Sequence, residues 1–385
     1  MAGGSDGGPV GLDAPTRTVV VTCADWPAVA HERPPDRPVV VMFANRVVAT
    51  NPLARYLGVD AGMRRREAQR HCPDAELLDR DPDREARAFE PVVGALDNVT
   101  PRIEITEPGT CLFPSRGPSR YFGGDAALAE RLTATVRGQL TMPTAVGVGI
   151  ADGAFASTLA SRRSARSEEC GHDVSVIVPP GESPQFLAGF GVGALSESGG
   201  LAPEMVEVLV RLGLATLGSL AAMKAADLVA RFGIEGGAAH RLASGLDLRP
   251  PRLADPPPDL DVSYEPDPPL DRADQAAFIA KTLADDLHER LGSRGLVAVA
   301  ILIEASTTEG HVVERRWRHD GALNSTAVAQ RVRWQLDGWL TSTQGRRSRG
   351  AGALARLRVR PTEVVPDTGR QLGFWGGADA ASLRA

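Results

Sequence analysis

Residues 18–29 read TVVVTCADWPAV. Thr18 to Thr22 is an apolar, β-branched run that stops at a turn, the pattern of a short strand buried on both faces. The residue ending such a strand projects towards the cleft beyond it. Here that residue is Cys23, followed by Ala24 and Asp25 before the chain turns at Trp26 and Pro27. A neutral thiol is a poor ligand for a hard cation such as magnesium.

The surrounding chain is that of an ordinary globular protein. Its 385 residues allow roughly two to three domains with their own cores. Composition, 43% hydrophobic and 24% charged, is unexceptional. No run approaches the roughly 18 to 20 uninterrupted apolar residues that span a bilayer. Residues 1–16 are Gly-rich and lack a signal peptide's basic start and apolar middle, so a cytoplasmic protein with no membrane partner is expected. Cys23, Cys72, Cys111 and Cys170 show no CxxC spacing, which argues against a disulfide framework or a structural zinc; no metal and no cofactor are expected.

Net charge is −5, yet the basic residues cluster, and all 43 of them except Lys224 and Lys281 are arginine. One run is Arg64 to Arg66, a second Arg315, Arg316 and Arg318, a third Arg346, Arg347 and Arg349 with Arg356, Arg358 and Arg360. Such runs are candidate phosphate contacts or solvated faces.

Residues 1–16 are expected to be disordered. Two short strands, Pro38 to Met42 and Arg46 to Ala49, flank a turn at Ala44 and Asn45, and a helix follows from about Asn51 to Leu57. Next come a helix starting at Met63, a strand after Pro73, a helix from about Asp125 to Leu140 and a strand from Thr144 to Ile150. Residues 173–249 read as helical after one strand at Val174 to Val178. Residues 250–269 are a proline-rich linker expected to be extended and semi-rigid. Beyond it lie a helix (Asp271 to Leu291), strands at Leu296 to Ile303 and His311 to Arg318, a helix (Ser325 to Leu340) and a strand (Leu354 to Arg360).

This order and several motifs resemble the Y-family translesion DNA polymerases. The resemblance implies an α+β fold with a palm and fingers (17–172), a helical thumb with a helix-hairpin-helix-like segment (173–249), a βαββαβ-type little finger (270–362) and a tail (363–385). Family members carry two aspartates separated by one residue where this chain has Cys23 and Asp25, so Cys23 stands at the metal-binding place. Aligning Ile103 and Glu104 on the family's "V-E" puts Gly109 and Thr110 where an adjacent Asp and Glu complete the two-metal site. The family's two lysines fall on Ala154 and Thr158. Of its triphosphate-gripping Tyr and Arg, the tyrosine place is Pro52 and the arginine place is Arg55, a residual phosphate contact. Degenerate positions Cys23, Gly109 and Thr110 therefore imply no catalytic residues and no enzyme. The alternative is a weakly active polymerase with relocated acids, Asp25, Glu104 and Glu107.

Two further expectations follow from the resemblance. Arg315, Arg316, Arg318, Arg356, Arg358 and Arg360 fall in the little finger, the part that meets DNA. Gln371, Leu372, Phe374 and Trp375 in QLGFW resemble the bacterial sliding-clamp-binding motif, a glutamine for backbone hydrogen bonds and apolar side chains for a pocket. Degenerate palm and clamp motif together resemble the ImuB group of mutasome homologues. That implies a DNA-damage-induced adaptor that docks on the clamp (β subunit) and recruits an ImuA-type partner and an error-prone DnaE-type polymerase to DNA.

Overall fold

The computed structural model describes residues 15–100, 103–169, 175–248, 258–270, 273–319, 322–341 and 353–367. Its central element is the strand expected first. β1 (Arg17–Cys23) is flanked by β6 (Thr110–Pro114) and β7 (Val146–Asp152), both antiparallel to it. Val19, Val20 and Val21 are fully buried, as a strand covered on both faces requires. Trp26 and Pro27 open a short helix, α1 (Trp26–Val29), rather than a simple turn.

The fingers segment matches the reading closely. β2 (Val39–Phe43) and β3 (Arg46–Thr50) form a hairpin whose two loop residues, Ala44 and Asn45, both have positive φ, as a tight two-residue turn demands. α2 (Pro52–Tyr56) is capped by Asn51, whose side chain accepts from the Ala54 amide. α3 (Arg65–His71) starts two residues after Met63, and β4 (Glu76–Asp79) closes a three-stranded sheet beside β2.

α4 (Pro82–Leu96) was not expected from the sequence. Its buried face, Phe89, Val92, Val93 and Leu96, packs beneath the large sheet. The stretch carrying Glu104, Gly109 and Thr110 is a hairpin, β5 (Glu104–Glu107) turning at Gly109 into β6. After α5 (Arg116–Phe122), α6 (Asp125–Arg137) lies beside α4, whereas α7 (Ala154–Glu169) covers the opposite face. Gly149 permits that cover: a Cβ there would lie 2.2 Å from the Ser161 amide nitrogen. β8 (Val176–Ile177) ends the sheet, and α8 (Ser183–Ala188), α9 (Ala194–Glu197), α10 (Pro203–Arg211), α11 (Leu217–Ala221) and α12 (Ala225–Ala243) form the expected helical unit with its own core.

The carboxy-terminal part runs β9 (Val262–Tyr264), α13 (Ala273–Gly292), β10 (Leu296–Thr307), β11 (Val312–Arg318), α14 (Ser325–Thr341) and β12 (Leu354–Pro366), the βαββαβ order expected. Two findings differ from the reading. The second half of the linker supplies β9, paired antiparallel to β12, and β12 continues past residue 362 to Pro366. More importantly, this unit has no separate sheet. β11 pairs in parallel with β5, Arg316 opposite Glu104 and Trp317 opposite Ile105, giving one nine-stranded sheet in the order β8-β7-β1-β6-β5-β11-β10-β12-β9. One hydrophobic core correspondingly runs from Val19 and Phe89 through to Trp317, Val332 and Leu357.

Candidate active site and nucleic-acid surface

The ends of β1 and β6 meet at the turn between β5 and β6. The Cys23 amide donates to the Gly109 carbonyl at 2.8 Å, and Thr22 stands opposite Thr110 in the register. The three positions singled out in the sequence are thus neighbours at one end of the sheet. Cys23 is 3% exposed within the core, and burial, reinforced by Cys111 and Glu168, pushes its thiol far above the ordinary range. Burial likewise lifts Cys111, to about 12. Both sulfurs are therefore protonated at neutral pH and behave as small apolar groups.

Gly109 is fixed by its neighbour. Its φ is +93°, and a Cβ would lie 2.4 Å from the Trp26 Cβ. Trp26 is held by its Nε1 donating to the Glu85 carbonyl at 2.8 Å and by an edge-on contact with Phe89, ring centroids 5.3 Å apart. The indole occupies the space that a side chain at residue 109 would need. Magnesium asks for anionic or carbonyl oxygens. A protonated thiol, a glycine and the neutral hydroxyl of Thr110 do not fit a pair of such ions. Among the described residues, no group of three or more His, Cys, Asp or Glu is gathered for a metal.

The acids considered as replacements have other partners. Asp25, in the left-handed region at φ 52°, holds the guanidinium of Arg55 in an ion pair. This places Arg55 beside the end of β1, on the helix that Pro52 begins. Glu104 accepts from Arg318 at 2.6 Å and forms an ion pair with Arg316 at 3.2 Å. Where lysines were sought, the Ala154 amide at the start of α7 donates to Asp247 at 2.8 Å, so the aspartate closing the helical unit caps a palm helix.

The arginines assigned to DNA in the sequence are engaged within the molecule. Arg315, 8% exposed, pairs with Glu90 and Asp97 of the α4 segment, each at 3.0 Å. Arg316 and Arg318 bind both Glu104 and Glu363. Arg356 meets Glu265 at 3.5 Å, and Arg358 and Arg360 share Asp261. Arg315 is therefore a joint residue between β11 and α4, not an exposed phosphate contact. Arg333 and the Trp334 indole extend that joint, both donating to Asp83 at 2.7 Å. None of these carboxylates could be matched to its arginine from sequence, since Glu90 and Arg315 lie 225 residues apart. Gln371, Leu372, Phe374 and Trp375 lie outside the described residues.

A cleft of about 1100 Å³ opens on the α7 side of the sheet, between the palm strands, the helical unit and β10–β12. Its lining includes Thr18, Thr110, Thr158, Glu107, Arg162 and Glu314.

Residues 24–162 match the impB/mucB/samB family. The chain is 28% identical over 258 residues to DNA polymerase IV of Caulobacter vibrioides, covering 66% of this chain and 57% of that one. With DNA polymerase IV 1 of Mesorhizobium japonicum it is 24% identical over 303 residues, 77% of this chain and 65% of the relative. The chain thus spans about three fifths of the length of these curated relatives. Among solved structures it is similar to DinB from Sulfolobus solfataricus, TM-score 0.51 at 16% identity, covering 91% of this chain and 99% of that chain. The insertion ternary complex of Dbh DNA polymerase gives a TM-score of 0.50 at 14% identity, with the same coverage. The architecture is that of a Y-family polymerase, as the motifs implied.

The relatives correct one expectation. The three degenerate positions implied that the chain is no enzyme, whereas its curated relatives bear the name of an enzyme, DNA polymerase IV. Missing ligands at three positions are a statement about those positions alone.

Proposed function

We propose that this homologue of the Y-family polymerases, nearest in its motifs to the ImuB group, acts on DNA in damage-induced translesion synthesis as a clamp-docked assembly factor. It would bring an ImuA-type partner and an error-prone DnaE-type polymerase to the primer terminus. The observation that carries the reading is the sequence QLGFW itself, residues 371–375, which follows the last little-finger strand along the chain. β12 ends at Pro366, and the Asp367 amide donates to the Gly295 carbonyl at 2.7 Å, anchoring the base of the segment that holds Gln371, Leu372, Phe374 and Trp375. A clamp contact in the same chain as a DNA contact would link two modest interactions, and such linkage raises overall avidity. A short anchor peptide of this kind contributes about −8 kcal/mol at micromolar affinity.

The reading does not depend on whether the chain itself extends a primer. Nucleotidyl transfer is the second reading, favoured by the names of the relatives, and is measured by primer extension with magnesium or manganese. The docking reading is tested by binding the purified clamp to the full chain and to a chain ending at Arg370. Binding that disappears with the tail, and with Gln371→Ala plus Trp375→Ala, is the expected result. Equal clamp binding by all of these proteins overturns it.

A further inference from the structure

The fingers carry a charged surface that the reading so far leaves idle. Between Ala44 and Cys72 the chain has six arginines against two carboxylates, Asp60 and Glu67. Arg55 is taken by Asp25, but Arg46, Arg64, Arg65, Arg66 and Arg70 are all exposed, and among the described residues none pairs with a carboxylate. This is the reverse of the little finger, where every arginine assigned to DNA has an acidic partner.

The backbone gathers these residues on one side of the small sheet. Arg46 and Arg64 are bridge partners, the Arg65 amide donates to the Asn45 carbonyl at 3.2 Å, and the Arg46 guanidinium donates to the Gly62 carbonyl at 2.8 Å. α3 carries the row onward to Arg70. At its far end the chain after α2 abuts the helix, since a Cβ on Gly58 would lie 3.2 Å from the His71 ring. Tyr56, two residues earlier, is 87% exposed, and Leu57 beside it is 42% exposed. The exposed Tyr56 ring and the exposed guanidiniums of α3 offer, on neighbouring segments of the fingers, an aromatic face and a cationic row.

We propose that this face of the fingers binds single-stranded nucleic acid, with Arg65, Arg66 and Arg70 on phosphates and the Tyr56 ring stacking on a base. Single-stranded binders combine a cationic track with aromatic platforms in this way, because every base offers a π-face once it leaves the duplex. A duplex would engage the arginines but leave Tyr56 without a partner. The proposal rests on reading the chain as a protein that works on DNA, and it adds where an unpaired strand would run.

The test is fluorescence anisotropy of a labelled oligothymidylate with the full chain at several salt concentrations, beside a duplex of the same length. In R65A/R66A/R70A the slope of log affinity against log salt should fall by about 2, since each phosphate contact on a single strand contributes about 0.7. Affinity should drop at least about tenfold at low salt, and R65K/R66K/R70K should retain the slope, separating charge from fold. Y56A should weaken oligothymidylate binding about tenfold, as loss of one stacked base does, and leave duplex binding unchanged. Unchanged affinity and slope in the triple alanine variant overturn the proposal, as do equal losses on duplex and single strand with no effect of Y56A. A chain ending at Arg370 keeps oligothymidylate binding if the proposal holds, so its outcome is independent of clamp docking.

Discussion

Replacing Gly109 by alanine tests the packing at the end of β1 directly. The position has φ +93°, and the added Cβ would sit 2.4 Å from Trp26 Cβ and 2.6 Å from its Cγ. Two costs follow. An L residue in the left-handed region loses about 1–2 kcal/mol, and forcing a methyl against a fixed indole adds about 1–3 kcal/mol. Trp26 cannot swing aside cheaply, because its Nε1 is bonded to the Glu85 carbonyl and its ring meets Phe89. G109A should therefore lower stability by about 2–5 kcal/mol, seen as a lower urea midpoint with unchanged slope. W26A alone should cost about 3–5 kcal/mol through the cavity it leaves. In the W26A background the residue 26 Cβ stays 2.4 Å away and only the contacts with Cγ and Cδ1 are relieved, so the alanine at residue 109 should still cost about 2–4 kcal/mol, giving a coupling of about 1 kcal/mol in the double-mutant cycle. An equal penalty in both backgrounds would refute the assignment of Trp26 as the obstacle. The same crowding applies to Gly109→Asp, so a carboxylate can be restored here only if Trp26 is shortened at the same time.

Other substitutions probe the joint between α4 and β11. R315A leaves Glu90 without its cation in a buried place and should cost about 3–5 kcal/mol by thermal or urea unfolding. Burial raises the Glu90 carboxyl above its ordinary 4.5, with Arg315 opposing the rise. The folded state then keeps that proton to a higher pH than the unfolded chain, so Glu90's contribution is full below 4.5 and declines as pH rises through the folded value. E90Q should lack that decline, which parallel urea titrations at stepped pH will show. Arg331 is 2% exposed, has one hydrogen bond, to the Ala327 carbonyl at 3.0 Å, and is lowered to about 10 by burial alone. R331M removes a buried charge that no carboxylate faces among the described residues, forfeiting its hydrogen bond to the Ala327 carbonyl and its contact over Trp334 at 5.6 Å. It should raise stability by about 1–3 kcal/mol in the same assay.

Local chemistry made much of the fold legible. The apolar run at Thr18, the two-residue turn at Ala44 and Asn45, the helix after Asn51 and the helix-strand-strand-helix-strand order beyond residue 270 each follow from short-range pattern, and each is where it was expected, whereas β9 lies in the stretch read as linker. α4 was missed because its buried face is interrupted by Pro91 and by Glu85 and Glu90, both buried with arginine partners that lie elsewhere in the chain or outside the helix. The joining of palm and little finger was missed for a related reason. β5 and β11 meet over only two residue pairs, 212 positions apart, and nothing in either strand announces the other. Cys23, Gly109 and Thr110 meet at one end of the sheet, and the side chain filling the space beside Gly109 belongs to Trp26, a residue read only as part of a turn.

Arginine shows most clearly what a one-dimensional reading lacks. Counting clusters ranks Arg315, Arg316 and Arg318 equal to Arg64, Arg65 and Arg66, since charge and spacing are alike. The two sets differ in what carboxylates the fold brings to them. A guanidinium already bonded to Glu104 and Glu363 must exchange those bonds for phosphate, gaining little, while an exposed unpaired one exchanges only water and counterions. Affinity for nucleic acid should therefore be governed by the fingers set, and opening the joint at Arg315 would be required before the little-finger set could contribute. R315A accordingly should weaken the fold and strengthen DNA binding per folded molecule, an opposition that no ranking by charge alone would produce. If R315A instead lowers DNA affinity in proportion to R65A/R66A/R70A, the arginines of β11 already touch phosphate and the partition between the two surfaces is wrong.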